Sequence, residues 1–282
     1  MGSRFWLGLI ASAVVAAAHP GVGIVRDARG DIFYTDLAHV WRIPAGGGKP
    51  VIAVKNVHTH ELCLDAQGAL LGEHLWYNGE KLNTWGHRVW RLAPDGALSD
   101  IVSAREGYRT TELSLVRDRA GGEFFHDRTA DNRDVFTRRA PDGKTTTLLD
   151  SRSFHDIRWM TAAPNGTLYV VDQSDLWRIA PDGRARLLAR RLAESDAAEQ
   201  RHMVQGLCAD DAGNVWVAIH ELRAVKKISA DGTVSVAART RFPWSPSGVL
   251  ATPDDGLWLL ECTITNSVRV RHLASGGKVT IY

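Results

Sequence analysis

The sequence has 282 residues, of which 44% are hydrophobic and 23% are charged. This composition is typical of a globular protein and excludes a disordered chain. The 34 Lys and Arg residues nearly balance the 32 Asp and Glu residues, which leaves a net charge of +2. So small a charge offers no electrostatic basis for binding DNA, RNA or an anionic membrane, and we expect none of these as a partner.

The N-terminal segment has the composition of a targeting signal. Arg4 precedes an apolar run from Phe5 to Ala18 that ends in three alanines. A basic start, a short apolar stretch and small residues at its end are typical of a secretory signal peptide. We therefore expect residues 1–18 to be removed and residues 19–282 to act in the periplasm or outside the cell. An uncleaved anchor or an N-terminal strand is the alternative, and no later segment predicts a membrane span.

A unit of strand, tight turn and second strand occurs six times along the chain. The copies span residues 24–36, 62–74, 115–127, 160–172, 207–219 and 249–262. Each copy has a glycine at the turn, where a positive φ costs least: Gly30, Gly68, Gly121, Gly166, Gly213 and Gly256. The β-branched and aromatic residues after each glycine favour a second strand.

The rest of each unit also repeats. A third strand such as Val40-Trp41-Arg42-Ile43 is followed by a turn such as Pro94-Asp95-Gly96 and by a fourth strand. Residues 19–282 divided among six units give about 44 residues each, which predicts a four-stranded propeller blade. One such sheet cannot bury both of its faces alone. We therefore predict an all-β, single-domain, six-bladed β-propeller of four-stranded antiparallel blades, with the aromatic residues of the third strands packed between blades.

The strand, Asp-x-x-Gly, strand and Trp-Arg-Ile-x-Pro-Asp-Gly pattern resembles the NHL-repeat and gluconolactonase-like group of six-bladed propellers. The resemblance covers residues 19–282 and is specific for the fold, but the group includes lactonases, other hydrolases, lyases and binding platforms. Gluconolactonase-like enzymes carry a metal-binding Glu at the opening of the first blade. This chain has Gly21-Val22-Gly23 there, so their calcium-type site does not transfer. A second resemblance, to the peptidyl-amidoglycolate lyase, implies histidines from separate blades as zinc ligands.

Histidines are concentrated where a propeller would bring them together. Residues just before each first strand and just after each second strand meet at one mouth of the central channel. Eight of the 11 histidines lie at these positions: His19, His58, His60, His74, His126, His155, His202 and His220. Imidazole and carboxylate ligands suit a divalent metal, and several histidines favour Zn, Cu, Fe or Mn over Ca.

The predicted metal ligands are His60, His155 and His202, with His220 or His74 as a fourth. The alternative is that these histidines and the nearby acids hydrogen-bond one another and line a wet channel. Candidate general bases, or partners that orient the imidazoles, are Glu61, Glu73 and Glu221. Arg158 is predicted to neutralise a substrate carboxylate or an oxyanion, or else to form an ion pair with Asp156 or Glu112.

The segment 74–87 in the second unit is longer than its counterparts. Trp76, Tyr77 and Trp85 within it predict an aromatic wall that binds substrate over the channel mouth, and Glu112 is a further candidate for substrate binding. The alternative is a loop that packs its own aromatic side chains against a neighbour.

Nucleophilic catalysis has little support. The sequence contains no GxSxG motif. The three cysteines, Cys63, Cys208 and Cys262, are too few for a disulfide framework, although one disulfide is possible. Cys63 and Cys208 lie between apolar residues, which predicts buried thiols.

Together these features predict an exported, metal-dependent hydrolase or lyase that acts as a monomer. Its substrate would be a small oxygenated molecule such as a lactone or a sugar derivative, bound at the channel mouth. The alternative is a non-catalytic propeller that binds a ligand or a protein on the same face.

Overall fold

The computed structural model describes residues 20–107, 113–193, 203–252 and 256–282. Glu112, His202 and the predicted leader at residues 1–18 therefore lie outside the described residues. Every regular element within these ranges is a β-strand. A search of the same ranges finds no helix with the length and apolar character needed to span a membrane.

The first three sheets follow one another along the chain, and in each the neighbouring strands are antiparallel. Blade one contains β1 (Ile24–Arg26), β2 (Ile32–Thr35), β3 (His39–Ile43) and β4 (Val51–Lys55). Blade two contains β5 (Leu62–Leu64), β6 (Leu70–Tyr77), β7 (Trp85–Leu92) and β8 (Leu98–Glu106). Blade three contains β9 (Glu123–Arg128), β10 (Asp134–Arg139) and β11 (Thr145–Ser151). An isolated antiparallel bridge between Arg117 and Glu123 occupies the position of the innermost strand in blade three.

The last three sheets each have four strands in sequence order. Blade four contains β12 (Ile157–Ala162), β13 (Leu168–Asp172), β14 (Asp175–Ile179) and β15 (Ala185–Ala189). Blade five contains β16 (Val204–Ala209), β17 (Val215–Ile219), β18 (Ala224–Ile228) and β19 (Val234–Arg239). Blade six contains β20 (Ser245–Thr252), β21 (Gly256–Cys262), β22 (Val268–Leu273) and β23 (Val279–Ile281). The predicted all-β, six-bladed propeller is confirmed.

The turn between the first and second strands has the predicted chemistry. All six turn glycines adopt a left-handed φ, from 77° at Gly68 to 102° at Gly256. This region is accessible to glycine and costly for residues with a Cβ. The repeated glycines were therefore a reliable signal for the six hairpins.

Apolar side chains join neighbouring blades, as predicted. Trp90 of blade two is fully buried in a cluster with Phe33 and Val40 of blade one. Phe136 of blade three packs in the same way with residues of blade four. A further cluster contains Ile24 of blade one and residues of blade six, so the first and last sheets also pack together. These shared clusters bury the faces that a single four-stranded sheet would expose.

The pairing of the first two strands determines where a site can form. Ile24 at the start of β1 pairs with Tyr34 near the end of β2, and Leu62 pairs with Gly72 in the same way in blade two. Residues before each first strand and after each second strand therefore lie at one edge of every sheet. The innermost strands surround a central cavity of about 370 Å³, and we call its end at this edge the mouth.

Candidate functional site

The central cavity is lined by the innermost segments of all six blades. Most of its wall is apolar, and its charged lining residues are Arg26, Glu61 and Arg117. Glu61 is half-buried and comes directly before β5, at the mouth end of the cavity. Within the described part of the chain, it is the one carboxylate of the wall.

The wall is asymmetric at the mouth. The repeat position of Gly23, directly before Ile24 in blade one, is also glycine in blades five and six, at Gly206 and Gly248, where the innermost strands approach closely. A Cβ at Gly206 would lie 3.0 Å from the carbonyl oxygen of Ser247, and one at Gly23 would lie 2.8 Å from the backbone nitrogen of Leu62. At the equivalent positions blades two and four have Glu61 and the large Trp159. At this position, side chains therefore project from blades two and four, and the backbones of blades five, six and one pack closely.

Three histidines of blade two form a cluster around the segment that leads into β5. The rings of His58 and His60 pack edge to face, with centroids 4.7 Å apart. His74 accepts a hydrogen bond at Nδ1 from the backbone N–H of His58, at 2.7 Å. Burial lowers the pKa of His74, and the charges of Arg88 and His58 lower it further. His74 is thus a neutral ring whose proton is on Nε2.

A buried threonine holds the segment that carries two of these histidines. The hydroxyl of Thr59 donates to the carbonyl oxygen of Glu73 at 2.6 Å and accepts from Trp90 Nε1 at 3.2 Å. Its carbonyl oxygen accepts a hydrogen bond from the hydroxyl of Thr35 in blade one, at 2.7 Å. The carbonyl oxygen of His60 also accepts the backbone N–H groups of residues 22 and 23, which line the cavity. These bonds fix the blade-two histidines against the cavity wall.

His155 occupies a different environment from the blade-two cluster. Its side chain is 75% exposed, and its Nδ1 lies 3.3 Å from the buried carboxylate of Asp172. That carboxylate also accepts the backbone N–H groups of His155 and Asp156, at 2.7 to 3.1 Å. Asp172 therefore serves mainly to fix the chain before β12.

The described residues do not gather the predicted metal ligands into a group. Over residues 20–107, 113–193, 203–252 and 256–282, no three His, Cys, Asp or Glu side chains are arranged to hold a metal ion. His220 is half-buried in blade five beside the exposed Glu221, and its backbone N–H donates to Met203. His202 lies outside these ranges, so metal binding through the five predicted histidines stays a prediction.

Other acids near the ends of the second strands form local ion pairs. Glu261 is fully buried and accepts hydrogen bonds from Arg269 and Arg271, each at 2.7 Å. His126 Nε2 lies 2.8 Å from the fully buried carboxylate of Asp134. The contacts of these residues match the alternative given above for the histidines and acids, in which they form a structural polar network.

Arg158 forms one of the two ion pairs that the sequence suggested. Its Nη2 lies 2.8 Å from Asp156, whose side chain is half exposed, while the Arg158 side chain is only 11% exposed. The next residue, Trp159, lines the cavity and donates from Nε1 to the carbonyl oxygen of Val204 at 2.9 Å. Arg158 is thus a largely buried cation at the mouth.

The long segment of blade two is mostly strand. β6 and β7 are eight residues each, and they extend the hairpin beyond those of the other blades. Trp76 packs beside His74, with centroids 5.5 Å apart, and over Gly86, where any Cβ would overlap its ring. Tyr77 and Trp85 pair at 5.0 Å and are 42% and 38% exposed. Because neighbouring residues of a strand face opposite ways, the three aromatic side chains are divided between two faces and do not form a single wall.

Two buried polar residues near the mouth, Gln205 and Ser247, were not among the predicted site residues. The innermost strands of blades four, five and six each contain a β-bulge near their mouth end. The three bulges contain Arg158, Gln205 and Ser247, and the last two are essentially unexposed. A polar residue between apolar ones was the available signal, but a bulge is not visible in a sequence pattern.

Comparison with known proteins places the chain by fold alone. No protein-family profile matches the sequence, and no curated protein matches it significantly. A structural genomics protein of unknown function from Bacteroides thetaiotaomicron aligns with a TM-score of 0.61 at 14% identity, over 95% of this chain and 71% of that one. A putative gluconolactonase aligns with a TM-score of 0.57 at 19% identity, over 89% of both chains. A gluconolactonase from Xanthomonas campestris aligns with a TM-score of 0.55 at 17% identity, over 86% of this chain and 83% of that one.

Identities this low show a common architecture and leave the activity open. The predicted likeness to gluconolactonase-like propellers is therefore confirmed for the fold, and the NHL relationship stays a prediction. The chain is a six-bladed β-propeller with the architecture of gluconolactonase-like proteins.

Proposed function

We propose that this protein is a hydrolase or lyase that binds a small oxygenated substrate, such as a lactone or a sugar derivative, at the mouth of the central cavity. The observation that carries the proposal is the blade-two cluster of His58, His60 and His74 beside Glu61, the carboxylate of the described cavity wall. The gluconolactonase structures support it only to the extent that the same fold accommodates such chemistry.

His74 is suited to polarise a substrate oxygen. Its Nδ1 is occupied by the backbone N–H of His58, so its Nε2–H is the group that can donate a hydrogen bond. Its lowered pKa keeps the ring neutral near pH 7. A positioned neutral donor stabilises the negative charge that develops on a carbonyl or leaving-group oxygen.

Glu61 is the candidate general base. It is the carboxylate that lines the described cavity wall, so it is the group placed to take a proton from a bound molecule. In a hydrolase it would take a proton from the attacking water, and in a lyase from the substrate carbon next to the carbonyl. His60 is its neighbour in the chain and is fixed by the same backbone hydrogen bonds.

The test measures hydrolysis of a panel of lactones that includes glucono-1,5-lactone. A pH indicator reports the protons that hydrolysis releases. Glu61→Gln and His74→Gln should each lower kcat by about 100-fold or more. His39→Gln, which changes a half-exposed histidine of β3 outside the cluster, should leave kcat unchanged. Unchanged turnover in both cluster variants would refute the acid–base assignment.

A second function is favoured by the exposed side chains of the blade-two hairpin. Leu82, Tyr77 and Trp85 are large and apolar and are exposed at its tip. Such residues are typical of a surface that binds a ligand or a protein without catalysis. A protein that binds through this hairpin and turns over no member of the panel would support this binding platform and not the enzyme.

Metal dependence and export are separate parts of the proposal. Near-stoichiometric transition metal in the purified mature protein, lost in the His155→Ala, His202→Ala double variant, would support the predicted metal. Full turnover by the metal-free protein would contradict the predicted metal dependence. Export predicts a mature chain in the periplasm or medium whose first residue is His19, which N-terminal sequencing would detect.

A further inference from the structure

Three buried polar side chains occupy corresponding β-bulges on three consecutive blades, near the mouth end of the innermost strands. We name Arg158, Gln205 and Ser247 the polar belt. Each lies in a β-bulge of an innermost strand. Bulges redirect side chains and are common beside active sites. Arg158 and Gln205 directly precede Trp159 and Gly206, which line the cavity, so the belt is one residue closer to the mouth than the wall.

Arg158 has hydrogen-bonding capacity that the described residues do not use. Its Nε is buried and has no hydrogen-bond partner within the described part of the chain. Its ion pair with Asp156 uses Nη2, and that carboxylate is half exposed to water. Buried donors without an acceptor are rare in native proteins, and they call for a ligand or another explanation. An anion at the mouth would supply the acceptor.

Neighbouring charges leave Arg158 as the cation available to such an anion. Arg128 is the other arginine beside Asp156, but it forms a two-point ion pair with the fully buried Asp134. The carboxylate of Asp172 is engaged by backbone N–H groups. The remaining belt residues, Gln205 and Ser247, are neutral, and the Ser247 hydroxyl donates to the carbonyl oxygen of Leu260, so neither adds a competing charge.

We propose that the polar belt is a carboxylate-binding subsite centred on Arg158. A guanidinium group matches the planar shape and charge of a carboxylate better than that of any neutral oxygen ligand. In combination with the proposed function, on which this step rests, the substrate is a small carboxylic acid that also contains the bond to be cleaved.

The test measures binding and not turnover. Acetate and acetamide have nearly the same shape and differ in charge, so ligand-observed NMR titration of each isolates the contribution of charge. Wild-type protein should bind acetate with a millimolar Kd and show no saturable binding of acetamide. Glucuronate and glucose form a second charged and neutral pair, with the size of a sugar ring. The protein should bind glucuronate and show no saturable binding of glucose.

The test is specific because some variants should weaken acetate binding and one should strengthen it. Arg158→Met should weaken acetate binding at least tenfold, and Arg158→Lys should weaken it less. Asp156→Asn should strengthen binding several-fold, because it removes the internal carboxylate that competes for Arg158. Asp156 is half exposed, so this variant is expected to fold even if Arg158→Met does not. Arg152→Met, at an arginine that is 68% exposed, is the matched control and should bind acetate as the wild type does.

Several results would overturn the proposal. These are equal binding of acetate and acetamide, unchanged affinity in Arg158→Met, or weaker binding in Asp156→Asn. Tighter binding of inorganic phosphate than of acetate would also overturn it. Acetate binding that appears only after Glu112→Gln would mean that the chain itself neutralises Arg158. Acetate binding retained in Glu61→Gln and His74→Gln separates this proposal from the acid–base assignment, since either can fail alone.

Discussion

Glu261 forms a buried ion-pair group with two arginines of blade six, and we expect this group to stabilise the fold strongly. Glu261 lies near the end of a second strand, where site residues were predicted. Glu261 is 0% exposed, and its two oxygens accept from Arg269 and Arg271, whose side chains are 21% and 16% exposed. Glu261→Gln keeps the shape and removes the charge. Removing one partner of a buried pair costs about 3–5 kcal/mol, because the remaining charges stay desolvated. Since both arginines retain some contact with water, we expect the lower end, about 3 kcal/mol.

The assay is thermal unfolding followed by circular dichroism. For a chain of this size about 1 kcal/mol lowers the Tm by roughly 2–4 °C, so Glu261→Gln should melt about 6–12 °C below the wild type. Asp131→Asn is the control, because Asp131 also contacts two arginines, each at 3.0 Å, but on the exposed surface. Its Tm should not change. A Glu261→Gln Tm within about 2 °C of the wild type would show that the buried group does not stabilise the blade as reasoned.

Three further predictions concern packing, pH and thiol reactivity. Gly72→Ala should lower the Tm by several degrees because its Cβ would overlap the ring of Trp90, whereas Gly46→Ala, with nothing nearby, should not; equal Tm values would contradict this. The lowered pKa of His74 means that the unfolded chain binds more protons below about pH 6.5, so stability should fall between pH 7 and pH 5 and fall less in His74→Gln. Burial raises the pKa of Cys63 to about 12 and of the other two thiols to about 11, so iodoacetamide at pH 8 should label none in the folded protein and all three after unfolding.

The repeat made the fold predictable to an unusual degree. Six turn glycines and the aromatic residues of the third strands act locally, through φ and through burial, and both effects are visible in the order of residues. Blade three departs from the pattern, with a single bridge at Arg117 where a full strand was expected. The extended β6–β7 hairpin also departs from it, because the extra residues continue the strands and do not form a loop.

The candidate site was less predictable, because its members depend on orientation. Glu61 and the blade-two histidines were chosen by their place in the repeat. In the structure Glu61 lines the cavity, while the three histidines pack around the segment that leads into β5, and their role stays a prediction. His155 has an equally suitable place in the sequence, yet its side chain points to solvent beside Asp172. A one-residue shift in strand register, or one β-bulge, changes the direction of a side chain. Neither feature is visible in the periodicity of the sequence.

The sequence by itself therefore determined the architecture: the number of blades, the turn positions and the blade order. These follow from backbone preferences and hydrophobic burial, which repeat with the chain. Only the tertiary structure decided which polar side chains share a site, because that depends on contacts between blades. Close approach of the backbones at Gly206 and Gly23 leaves no room for a side chain there, while β-bulges in blades four to six set the directions of Arg158, Gln205 and Ser247.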